Sequence, residues 1–114
     1  MVFYKTENGR CPVAEFLDTM PSKVAQKAAW VLKLVQELET VPLQYLKKLG
    51  VADEIWECRM TFGGNTYRML GFFHGGNQMV LTHGFMKKTQ KTPSQEINEA
   101  QRLKADYIRR YGRA

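Results

Sequence analysis

The sequence predicts an α+β domain: a helical hairpin packed on an antiparallel β-meander, closed by a C-terminal helix. Three observations carry this. Val24, Ala28, Val31, Val35 and Leu38 recur at alternating spacings of four and three, the period of an amphipathic helix. Two Gly-Gly-Asn triplets, at 63–65 and 75–77, separate three runs rich in aromatic and β-branched residues. Pro93-Ser94 then opens a final helical stretch. The chain has 114 residues, of which 44% are apolar and 25% charged. That is enough for a single domain over 1–114, and the composition excludes a largely disordered chain.

Val2-Phe3-Tyr4-Lys5 is short, β-branched and aromatic, and reads as a first strand. Thr6–Arg10 is a loop, and Pro12 suits the first turn of a short helix. Val13, Phe16 and Leu17 give that helix its apolar face, and Met20-Pro21 ends it, because a residue before proline avoids the α region. The second helix starts at Pro21-Ser22, with Trp30 and Leu34 widening its stripe, and stops at Val41-Pro42. Tyr45–Leu49 is either an edge strand or a loop. Residues 54–62, 66–73 and 78–86 are the three meander strands. In the last helix, Thr92 or Ser94 is the candidate N-cap, and Ile97, Ala100, Leu103, Lys104 and Tyr107 form a mixed stripe. The basic end, Arg109–Arg113, is expected to fray.

Strand register ties these elements to chemistry. With Gly63-Gly64 as a two-residue loop, Phe62 pairs with Asn65 and Arg59 lies opposite Arg68. With Gly75-Gly76 as the second loop, Arg68 lies opposite His83, giving a row of nitrogen-bearing side chains across three strands. A three-residue loop instead flips one strand and breaks the row. Like charges opposite each other are destabilising, which points to an anion between them, and arginine suits forked phosphate recognition. Glu57 shares the face with Arg59, and its neutralising Arg59 is the purely structural alternative.

The overall charge agrees with an anionic partner: 17 Lys plus Arg against 11 Asp plus Glu, a net charge of +6. Lys48, Phe85, Lys88 and Lys91 are the candidate RNA-binding residues, joining cations for phosphates to a ring for a base. Cys11 and Cys58 have no metal-ligand spacing, so no metal or other cofactor is expected. Their number allows one disulfide, but no secretory context supports it, and the thiols are expected to be reduced. No apolar leader or membrane-length run is present, and the chain reads as cytoplasmic and independent of membranes.

The run IWECRMTFGGNTYRMLGFF, then LTHGFMKKTQKTP and a helix carrying Glu96 and Ala100, resembles the RelE/ParE toxin superfamily. It is most similar to the HigB-like, phage-derived branch. The resemblance implies a small RelE-like fold and the toxin of a type II toxin–antitoxin pair. Such a toxin is an endoribonuclease, an mRNA interferase that cleaves ribosome-bound messenger RNA and arrests growth. Its implied partners are mRNA, the ribosome and a HigA-like helix-turn-helix antitoxin. Operator DNA is a partner only of the toxin–antitoxin complex. By position, Arg59 matches the strand arginine that contacts the scissile phosphate, Arg68 the arginine on the next strand, and Lys87 and Lys88 the basic residues after the last strand. Tyr107 is a distant candidate for the family's C-terminal tyrosine.

Metal-free RNA cleavage needs a base for the 2′-hydroxyl, cations for the phosphorane and an acid for the leaving 5′-oxygen. Arg59, Arg68, His83 and Lys87 are the candidate catalytic residues, with His83 the proton carrier. A gyrase-poisoning ParE-like toxin and a non-catalytic nucleic-acid-binding domain are the competing readings.

Overall fold

The computed structural model describes residues 1–37, 45–49, 54–76, 78–87 and 92–113. Among the described residues, three helices and five strands follow one another as β1 (Val2–Phe3), α1 (Pro12–Asp18), α2 (Ser22–Glu37), β2 (Leu46–Lys48), β3 (Trp56–Phe62), β4 (Asn65–His74), β5 (Gln78–Lys87) and α3 (Ser94–Tyr111). The strands form one sheet in the order β1-β5-β4-β3-β2. β1 pairs parallel with β5, and every other pairing is antiparallel. The meander is therefore present, Tyr45–Leu49 contributes an edge strand to it, and the parallel β1 makes the sheet mixed.

The two faces are covered differently. Val13 of α1 and Val24, Ala28, Val31 and Leu32 of α2 pack against Cys58, Met60, Tyr67, Met69, Met79 and Leu81. The opposite face carries α3 and two smaller clusters. Tyr4, Phe72, Val80 and Leu103 form one, and Ile55, Leu70 and Ala100 the other. The larger core explains why the hairpin helices are legible from apolar spacing alone: burying that stripe drives their docking. Leu32, and not Trp30, is buried in it; Trp30 is 51% exposed, its ring edge-on to Tyr45. Leu38 and the Val41-Pro42 stop lie outside the described residues. Gly84 has a packing reason, since a Cβ there would come within 2.2 Å of the Phe16 ring.

Two expectations about α3 are corrected. Pro93 occupies the N-cap position, with no side-chain cap. Thr92 instead donates its hydroxyl to Glu57, and Ser94 is already helical. The basic C-terminal turn is not frayed. Asp106 accepts from the Tyr4 hydroxyl at 2.6 Å and binds both Arg109 and Arg110. Arg110 also donates to the Lys5 carbonyl, and Arg109 reaches Glu7. These contacts clasp the last turn of α3 to the first residues of the chain, where a helix C-terminus also favours cations. Cys11 and Cys58 are both free thiols, and burial pushes the Cys58 thiol up to about 12.

Candidate functional site

The Gly63-Gly64 turn has φ values of 60° and 82°, the left-handed pair of a two-residue type I′ loop. It sets Phe62 against Asn65, and so puts Arg59 directly opposite Arg68, as the sequence predicts. The second hairpin departs from expectation. His74 pairs with Gln78, so three residues connect β4 to β5. By itself that flips the face of β5. A bulge between Leu70 and Gly71 leaves Thr82 without a register partner and restores the parity. His83 therefore stays on the arginine face but lies opposite Leu70, while Phe85 takes the place opposite Arg68.

Two cross-strand rows result on the α3 face. One runs Arg59–Arg68–Phe85, and the next Lys47–Glu57–Leu70–His83. Two strand spacings and a two-residue slide separate Arg59 from His83, about 12 Å between Cα atoms. A long arginine side chain covers much of that span.

The arginine pair is organised by a buried carboxylate. Glu57 Oε1 lies 3.7 Å from Arg68 Nε and 4.0 Å from Arg59 Nη1, and Oε2 accepts from Thr92. The side chains of Glu57 and Arg68 are each 3% exposed, whereas that of Arg59 is 34% exposed. An acid this deeply buried needs partners, and it finds them on two strands and on the segment leading into α3. Arg59 is thus tethered at its rear and open to solvent at its front, the posture of a phosphate-contacting guanidinium. Arg68 sits behind it.

His83 is also mostly enclosed. Its Nδ1 lies 3.1 Å from the Thr82 hydroxyl, which is itself 3.1 Å from the Leu70 carbonyl oxygen. Its Nε2 faces Glu96 Oε1 at 3.6 Å, at the start of α3. The ring stacks on Phe85, with centroids 6.0 Å apart. Burial lowers the His83 pKa below its ordinary value of 6.5, against the opposing pull of the Glu96 and Glu99 carboxylates.

The remaining candidates divide. Lys87 ends β5 opposite Thr66. Lys88 and Lys91 lie outside the described residues. Lys48 pairs with Trp56, so it falls on the hairpin-helix face, where its ammonium meets Glu54 at 3.2 Å. Its exposed neighbour Lys47 pairs with Glu57 and shares the arginine face. Nothing local in the sequence fixes the register of a three-residue edge strand. Tyr107 packs against Phe72, His74 and Tyr111, at the far end of β4 from Arg68. The approach of Glu96 to His83 has no local signal in the sequence.

Among the described residues no helix is long and apolar enough to cross a membrane. A search of the curated proteins finds no match to the chain. A family model does match, over residues 15–105, which includes the second half of α1, all of α2, the meander and most of α3. On that match the chain belongs to the family described as phage derived protein Gp49-like (DUF891), a RelE/HigB-like toxin-type family associated with toxin–antitoxin pairs.

Proposed function

We propose that this chain is the toxin of a type II pair and acts as a metal-independent endoribonuclease on ribosome-bound mRNA. The observation that carries the reading is Arg59: a guanidinium held from behind by the buried Glu57 and presented to solvent beside a second arginine. In phosphodiester cleavage negative charge grows on the non-bridging oxygens, and a preorganised cation there lowers the barrier. Arg68 adds to the positive field beside Arg59, and Lys87, Lys88 and Lys91 are further cations in the sequence for the phosphates of the RNA. His83 and the groups around it supply the proton handling. The enclosed cluster around His83 is a modest acid–base apparatus, so positioning of the message by the ribosome supplies part of the rate. Phe85, beside Arg68 and stacked on His83, offers a ring to a base.

The antitoxin in this reading is a helix-turn-helix protein that masks positive charge, and the pair together binds operator DNA. Induced expression should arrest growth, and primer extension should reveal cleavage within translated messages. Arg59→Ala should lower cleavage by about 10²–10³-fold in a folded protein, the usual cost of one transition-state charge contact. Growth arrest with intact mRNA and double-strand DNA breaks would instead identify a gyrase poison. Salt-sensitive RNA binding without toxicity would identify a non-catalytic binder.

A further inference from the structure

His83 was nominated by its chemistry, but its ring nitrogens are not available to a substrate. Nδ1 is engaged by the Thr82 hydroxyl at 3.1 Å. Nε2 has less than 1 Å² of accessible surface and faces Glu96. The His83 side chain is 11% exposed, and that of Glu96 is 26% exposed. The pair therefore meets solvent through its carboxylate. Resting on the endoribonuclease reading, we propose that Glu96 is the group that takes the proton from the RNA 2′-hydroxyl, and that His83 is the positioning residue behind it.

The surroundings support this division. α3 brings Glu96 and Glu99 toward the imidazole, β5 supplies Thr82 and Phe85, and β4 supplies the apolar Leu70 opposite. Burial holds His83 toward its neutral form. Nε2 lies 3.6 Å from the carboxylate, beyond hydrogen-bond distance, so His83 holds Glu96 in place by contact rather than by a shared proton. Glu96 stands in the first turn of α3, so its backbone is fixed by the helix. Thr92, two residues before that helix, binds Glu57, so the segment that carries Glu96 is also tied to the arginine cluster.

The step balances as follows. A Glu96 carboxylate oxygen removes the 2′-hydroxyl proton as O2′ attacks phosphorus. The P–O2′ bond forms, the P–O5′ bond breaks, and O5′ takes a proton from water. The products are a 2′,3′-cyclic phosphate and a 5′-hydroxyl, and Glu96 returns its proton to solvent.

The test compares Glu96→Gln, Glu96→Asp and His83→Gln on ribosome-bound mRNA, with folding checked by amide NMR spectra. Binding is measured on the same message carrying one 2′-deoxynucleotide. Glu96→Gln should lower kcat by about 10²–10³-fold with unchanged binding, the range for a lost general base. Glu96→Asp should recover part of it, and His83→Gln should lower kcat by less than Glu96→Gln does while displacing the acidic limb of the kcat–pH profile. Cleavage within twofold of wild type in Glu96→Gln overturns the assignment, and so does abolition by His83→Gln alone. If the unaltered protein cleaves no RNA, the endoribonuclease reading fails and the catalytic role falls with it. The pairing itself is then judged by imidazole ¹⁵N titration. Glu96→Gln should lower the His83 pKa further, because the carboxylate that opposes the effect of burial is gone, and an unchanged value overturns the pairing.

Discussion

Arg59 and Arg68 stand directly opposite each other on adjacent strands, yet one side chain is 34% exposed and the other 3%. The asymmetry comes from what lies over each. Glu57 sits beneath both, and Arg68, on the central β4, is enclosed while Arg59 keeps an open front. A like-charged cross-strand pair costs roughly 0.2–1 kcal/mol, and a shared buried carboxylate offsets it. Four predictions follow from this cluster and from the contacts that hold the sheet and α3 in place.

Glu57→Gln should destabilise the protein by about 3 kcal/mol, because it removes the buried carboxylate that faces both Arg68 and Arg59. The urea midpoint should fall with little change in the denaturant slope. A midpoint within error of wild type would mean that the cluster does not depend on its acid.

Gly84→Ala should cost about 1–3 kcal/mol, since the new methyl runs into the Phe16 ring and α1 must shift. Adding Phe16→Leu should recover part of the loss, because the smaller side chain yields the space. A double variant no better than the sum of the two single changes would place the strain elsewhere.

Asp106 is held down to about 2 by the Tyr4 hydroxyl first, then by Arg109 and Arg110. Its folded pKa lies below the ordinary 3.8. The clasp therefore contributes fully above that value and is lost as pH falls from about 4 toward 2. Thermal melts of wild type and Asp106→Asn should differ near neutral pH and converge across that acid window. Parallel curves would show that the carboxylate is not what ties α3 to the chain start.

His83 titrates in the opposite region. Burial lowers its folded pKa below 6.5, so the unfolded chain binds the proton more readily. Stability is then fully present above about pH 6.5 and declines as the pH falls through the lowered folded value. His83→Gln should flatten that part of the stability–pH profile. If the wild-type profile is already flat between pH 7.5 and 5, the imidazole is not desolvated as placed.

The sequence by itself determined the hairpin helices, the three meander strands and the pairing of Arg59 with Arg68. Each rests on local information: a 3.6-residue apolar period, or a two-residue Gly-Gly loop whose geometry leaves one register. The family resemblance was likewise carried by contiguous segments. Tertiary structure decided the rest. A bulge at Thr82 compensated the longer second turn and slid His83 from Arg68 to Leu70, which no local pattern encodes. The register of a short edge strand put Lys47, and not Lys48, on the site face. Docking of α3 and the residues just before it on that face brought Thr92 to Glu57 and Glu96 to His83, across 35 residues in the first case. Such contacts depend on how helices and strands stack, a balance of burial and polar pairing summed over the whole chain rather than over any window of it.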